Sequence, residues 1–213
     1  MDEFVKQHTQ ITVEETLKSL RQHGFGAEYF ATKDDVVNFI MNLAEDCKTV
    51  GIAGTHTVRA LGVVSLLQNA GKTVYDHWVY SPGTPEELQC RRNQMVSDLF
   101  LSSANAITTT GEIVNKDGAG NRINAMTFGP KQVCVVAGVN KIVPDIDAAL
   151  GRIETTAAPI RAMSLNRKTP CAKTGVCMDC DSPERICRIT SIIHRKPMFT
   201  PLTVVIIGEE LGY

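Results

Sequence analysis

The sequence predicts an α/β fold: a mostly parallel sheet with helices on both faces, carrying a C-terminal cysteine-rich insertion. Three observations predict it. Short apolar runs alternate with amphipathic stretches from Glu28 to Glu154, the pattern of chained βαβ units. Residues 133–139 (VCVVAGV) and 202–207 (LTVVII) are almost wholly apolar, as strands covered on both faces must be. Turns rich in Gly, Thr and Asn follow several runs, where parallel sheets collect their ligands.

The 213 residues, 43% of them hydrophobic and 21% charged, suit one domain with a sizeable core. A net charge of −1 with the signs interspersed gives no basic face for nucleic acid. The start, MDEFVKQHTQ, lacks the basic and apolar regions of a signal peptide, and no apolar run is long enough to span a membrane. Seven cysteines are an odd number, and four of them crowd into residues 171–187, unlike a secreted disulfide framework. A soluble cytoplasmic protein is expected. The chain divides into an N-terminal helical segment (1–25), an α/β core (26–160), a cysteine-rich metal-binding insertion (168–190) and C-terminal strands (191–213).

In order, Thr12-Val-Glu-Glu15 has the capping-box pattern and opens a helix that Gly24 closes, with a short helix or a loose arm before it. Residues 28–31 form a short strand. Thr32 caps a second helix with Val36, Ile40 and Leu43 inward. Residues 49–53 make a strand that enters Gly54-Thr-His-Thr57, and one helix then runs from there to Gly71. Val74-Tyr75 is a brief strand. Thr84 and Pro85 begin the next helix, 99–102 is a strand, and Asp145 to Glu154 is a helix with Ile146, Leu150 and Ile153 inward.

Two loops carry the candidate chemistry. Gly54, Thr55 and Thr57, between a strand and a helix, offer amides and hydroxyls to an anion, although a threonine there also serves as a plain helix cap. His56 is a further ligand contact in that turn. Residues 105–122 combine Gly111, Gly118 and Gly120 with Asn105, Asn115, Lys116 and Asn121, a set able to cradle a charged ligand or to make a solvated hairpin. Cys171, Cys177, Cys180 and Cys187 lie close enough in sequence for one tetrahedral zinc or one [4Fe–4S] cluster, and spacing does not separate the two. A purely structural staple and a redox-active Cys177/Cys180 pair are the other readings.

The segments Gly51-Ile-Ala-Gly-Thr-His-Thr57, Tyr75-Asp-His-Trp78, Thr110-Gly-Glu-Ile-Val-Asn115 and Gly118-Ala-Gly-Asn-Arg122 together resemble the LUD-domain family, named for lactate-utilisation proteins. The 171–187 stretch is similar to its short, cysteine-bearing branch. That resemblance covers essentially the whole chain. It implies a fold related to CoA transferases, ribose-5-phosphate isomerase and glucosamine-phosphate deaminase. It also implies a role near lactate or organic-acid oxidation, beside iron–sulfur oxidoreductase subunits. The central loop is similar to that of aldose–ketose isomerases acting on methylthioribose phosphate, but Asn105 stands where those enzymes carry a carboxylate, and an amide cannot shuttle a proton. Glu112 is the nearest remaining carboxylate and the candidate acid/base or nucleophile.

The expected function is binding of a small anionic metabolite, an organic acid or a phosphorylated compound. An electron-transfer or structural subunit built on the cysteine centre, and a CoA-transferase-like enzyme using Glu112, are the competing classes. Neither nucleic acid nor membrane is an expected partner; further copies of the chain are allowed.

Overall fold

The computed structural model describes residues 3–213. The chain begins with α1 (Glu3–Gln22), β1 (Gly26–Phe30), α2 (Lys33–Leu43), β2 (Thr49–Ile52), α3 (His56–Ala60), α4 (Val63–Asn69) and β3 (Thr73–Asp76). It continues with α5 (Pro85–Gln94), β4 (Leu99–Ser102), β5 (Ala106–Thr108), β6 (Ile113–Asp117), α6 (Asn121–Thr127), β7 (Gln132–Gly138) and β8 (Ile142–Val143). The last elements are α7 (Ile146–Arg152), α8 (Ala158–Ser164), α9 (Cys171–Thr174), β9 (Ile189–Ile193) and β10 (Leu202–Ile207).

Six strands form a main sheet in the order β1-β10-β7-β4-β2-β3, parallel at every pairing. Alternate residues of its central strands feed two cores. Phe100, Val133, Val135, Val204 and Ile206 face α1 and the second sheet, while Leu99, Leu101, Cys134, Val136 and Val205 face α2, α3 and α4. That two-sided burial explains the continuous apolar runs. The second sheet, β8-β5-β6-β9, is mostly antiparallel and is covered on its far side by Ala149 and Ile153 of the helical rod that begins with α7. No helix is long and apolar enough to cross a membrane among the described residues.

Three elements differ from the sequence reading. Thr12 caps nothing: α1 starts at Glu3, and the Thr12 hydroxyl donates to the His8 carbonyl one turn back, a bond that lets threonine sit inside a helix. The residues before it are almost all exposed, so no apolar periodicity marked them as helical. The helix expected from Thr57 to Gly71 is two, because Gly62 takes φ 70°, a left-handed conformation that ends α3 and starts α4. The helix expected to end at Glu154 continues to Ser164 through a π-helical turn over Ile153–Ala157, where the Ala158 N–H reaches back to the Ile153 carbonyl.

Chain order fixes where the main sheet opens. After β2 the chain leaves outward to β3; after β4 it leaves the other way, toward β7. The turns that follow β2 and β4 therefore diverge, and a crevice opens between them at the carboxyl ends of the strands.

Candidate functional site

Turns from five parallel strands meet at that crevice. Gly54–Thr57 follows β2, His77 and Trp78 follow β3, Ser103–Asn105 follows β4, Lys141 follows β7, and Tyr213 stands in the segment beyond β10. An inner cavity of about 50 Å³ is lined by Gly54, Thr55, His56, Thr57, Asn105 and Lys141, among others. An outer cleft of about 680 Å³ shares Gly54, His56, Arg122 and Arg161 with it. That outer cleft is within the usual range for a small-molecule site. Its lining carries seven lysine and arginine side chains against three carboxylates. Such an excess favours anions.

Gly54 is needed for close approach. A Cβ there would stand 3.2 Å from His77 Nε2 and 3.2 Å from Trp78 Nε1. His77 is buried and accepts from the Gln94 amide at 2.9 Å on Nδ1, which leaves the proton on Nε2. Burial, with the Arg91 charge behind it, pushes its pKa down to about 4. Asp76 caps the Trp78 N–H and pairs with both terminal nitrogens of Arg59, whose guanidinium lies 3.8 Å from the centre of the Trp78 ring. His56 packs between the rings of Trp78 and Tyr213 and meets Arg161 at 2.7 Å on Nε2. Burial and then the Arg161 charge lower its pKa, so it is neutral and accepts that bond.

Thr55 makes no side-chain cap bond, and α3 is only five residues long, so no developed helix dipole acts here. What faces the inner cavity instead is an amine. Lys141 is 2% exposed, and its Nζ donates to Thr57 Oγ1 (2.9 Å), Ser103 Oγ (3.0 Å) and the Ala104 carbonyl (3.2 Å). No carboxylate pairs with it among the described residues. Burial, then the Arg152 and Arg122 charges, bring its pKa down to about 7.

The structure brings Gly54, Thr55, Thr57 and Asn105 to the inner cavity, and Lys116, Gly118 and Asn121 to the outer cleft. Several of these are engaged with protein. Asn105 Oδ1 accepts from Lys116 N–H and Arg122, and Asn115 Oδ1 accepts from Asn105 N–H. Asn115 is fully buried and lines neither cavity; through Asn105 it braces the turn after β4 against β6. Lys116 Nζ lies 2.8 Å from Glu154, and Asn121 takes a bond from Arg91. Gly120, at φ 86°, starts α6 and packs on Ile189.

Glu112 and Gly111 lie at the opposite end of the β5–β6 hairpin, against the end of α1, and line neither cavity. Burial acts to raise the Glu112 pKa, but the Thr108 and Thr110 hydroxyls and the charges of His23 and His194 outweigh it and hold the carboxyl below its ordinary value. A short hairpin has two ends about 10 Å apart, and composition does not say which one faces the crevice.

Among the described residues no three His, Cys, Asp or Glu side chains form a group that could hold a metal ion. Cys171 Sγ lies 3.3 Å from Thr169 Oγ1, Cys177 Sγ accepts from the Asp179 N–H, and Arg185 stands beside Cys187. Pro183, Arg185, Ile186 and Arg188 of this stretch form one wall of the outer cleft.

The sequence reading missed Lys141 and Arg161. Lys141 had a signal, a cation set directly after the most apolar strand in the chain. Arg161 lay past the expected end of its helix.

No curated protein matches this chain. Among solved structures, a DUF162 family protein from Deinococcus radiodurans is similar over 95% of this chain and 98% of its own, with a TM-score of 0.54 and 11% identity. At that identity the likeness speaks for the fold. The LUD-domain profile matches residues 13–207, nearly the whole length, and the chain belongs to the LUD-domain family.

Proposed function

We propose that this LUD-domain protein binds a small anionic metabolite, an organic acid or a phosphorylated compound, in the crevice between the turns after β2 and β4. The observation that carries this reading is the excess of cations around one cleft, with Arg161 bonded, among the described residues, to the neutral partners His56 and Ser164. Backbone amides near Gly54 and the Arg161 guanidinium would hold the anion, with Lys141 beside it in the inner cavity. Asn105, Asn115 and Arg122 brace the turn after β4 against β6 and the start of α6, while Lys116, Gly118 and Asn121 border the space where the remainder of the ligand lies. Glu112 has no part in this reading. The family's name directs the search toward lactate and related acids first.

The test is thermal unfolding of the wild type and Arg161→Gln against millimolar lactate, citrate, inorganic phosphate and ribose 5-phosphate. At least one of these anions should raise the wild-type midpoint. Arg161→Gln should keep the unliganded midpoint within a few degrees and bind that anion about tenfold more weakly, which is about 1.4 kcal/mol. No shift with any anion, or equal shifts in the two proteins, overturns the proposal.

A further inference from the structure

We infer that Lys141 is an amine nucleophile that forms an imine with a small oxo acid seated in the inner cavity. The inference rests on the anion-binding reading above and names the class of ligand. Its first support is placement. Lys141 follows β7 at the carboxyl edge of the sheet, is 2% exposed, and reaches the same cavity as Gly54, His56 and Arg161. A lysine buried for structure alone is expected to have a carboxylate beside it, since an isolated buried charge is costly. The charged groups that act on Lys141 are instead the cations Arg152 and Arg122, and the nearby titratable group is the neutral His56. Such surroundings favour the free amine, in line with a pKa of about 7.

The second support is what surrounds the amine. As a free amine Lys141 keeps two N–H donors and takes a proton donor on its lone pair, a part that either the Thr57 or the Ser103 hydroxyl can fill. Those hydroxyls have carbonyls to return to, Leu211 for Thr57 and Ala104 for Ser103, and so can pass protons. The cavity of about 50 Å³ has room for roughly four waters, the size of a five- or six-atom acid. At its outer side stands Arg161, ready for a carboxylate.

In the step itself the Lys141 lone pair adds to the carbonyl carbon and the C=O π bond opens. One amine proton moves through a neighbouring hydroxyl to the new alkoxide, which gives a carbinolamine. The C–O bond then breaks, water departs with the second amine proton, and a neutral C=N bond remains. Amine plus carbonyl gives imine plus water, with no change of oxidation state.

The experiment treats the full-length protein at pH 7.5 with glyoxylate, the smallest such acid, and cyanoborohydride, followed by intact-mass measurement and peptide mapping. One carboxymethyl group should appear on Lys141 at least about tenfold faster than on any other lysine, because exposed lysines are almost wholly protonated there. Propionaldehyde, of similar size but uncharged, should label Lys141 about tenfold more slowly. Lys141→Met should lose the fast label; the wild-type map stands by itself if that variant does not fold. Labelling spread over exposed lysines with Lys141 untouched, or propionaldehyde matching glyoxylate, overturns the inference. If lactate or phosphate raises the unfolding midpoint while glyoxylate leaves Lys141 unlabelled, the imine falls and anion binding stands.

Discussion

At the scale of single residues, His77 ties the crevice to the stability of the fold. Its ring fills the space beside Gly54, and the Gln94 amide that donates to it also donates to the Ile52 and Tyr75 carbonyls. With a folded pKa of about 4 against 6.5 when free, His77 stays neutral where the unfolded chain takes up a proton. Stability is therefore fully present above about pH 6.5 and falls as pH drops toward 4. The loss should be on the order of 2 kcal/mol, allowing for solvent screening at a site that borders the cleft. Urea denaturation at pH 7 and pH 5 measures it, and His77→Gln should flatten the decline; an unchanged slope would remove His77 as its source. The sequence showed His77 only as a histidine beside a tryptophan. Nothing local distinguishes a packed, neutral imidazole from a solvated one, since the partner that fixes its tautomer lies 17 residues away. Lys141 shows the same limit, as its partners come from the turns after β2 and β4.

At the scale of elements, helix-to-sheet distance depends on a few glycines. Gly51 lies in the middle of β2, where α5 approaches so closely that a Cβ would meet Ser97 Oγ at 2.9 Å and the Gln94 backbone at 3.0 Å. Gly51→Ala has to push α5 outward and disturb the Gln94 amide, which holds β2, β3 and His77 together. We expect a loss of about 2 kcal/mol, in the range of overpacked cores, measured as a lower urea midpoint with unchanged slope. Wild-type stability in Gly51→Ala would mean that α5 is free to move. The elements legible in the sequence were those whose burial follows one simple period. The runs at 133–139 and 202–207 are apolar throughout and prove to be strands covered on both faces, and Thr32 and Thr84, each set before a helix-starting pattern, prove to accept from an amide three residues on. The first half of α1 shows almost no buried face, and the rod from α7 to α8 passes through a π turn that shifts the periodicity past Glu154. Those were not legible.

At the scale of the molecule, the cysteine-bearing stretch and the outer cleft are one structure. The sequence set them apart, as a pocket in the core and an appendage near the C-terminus. In the fold, the Arg188 N–H donates to the Asp117 carbonyl, β9 pairs with β6, and Ile186 packs on Gly118, so that residues 183–188 lean over the turn that leads into α6. Separation along the chain could not reveal this, because it depends on β9 returning antiparallel to β6. The consequence is reciprocal: a ligand that fills the cleft must hold this wall in place, and a loosened wall must weaken the ligand. Cys180 and Cys187, which flank Arg185, are partly exposed and report on the wall. With whichever of citrate or phosphate raises the unfolding midpoint more, near saturation, alkylation of these two thiols by iodoacetamide should slow about fivefold. Alkylation of buried Cys134 should stay negligible throughout, as burial raises its pKa to about 12. Arg188→Gln should weaken binding of the same anion about threefold to tenfold while leaving the unliganded midpoint unchanged within a degree or two, since Arg188 is exposed and its side chain bonds to the Arg185 and Pro183 backbone carbonyls. Equal alkylation rates with and without the anion would mean that the wall stands independently of the cleft it borders.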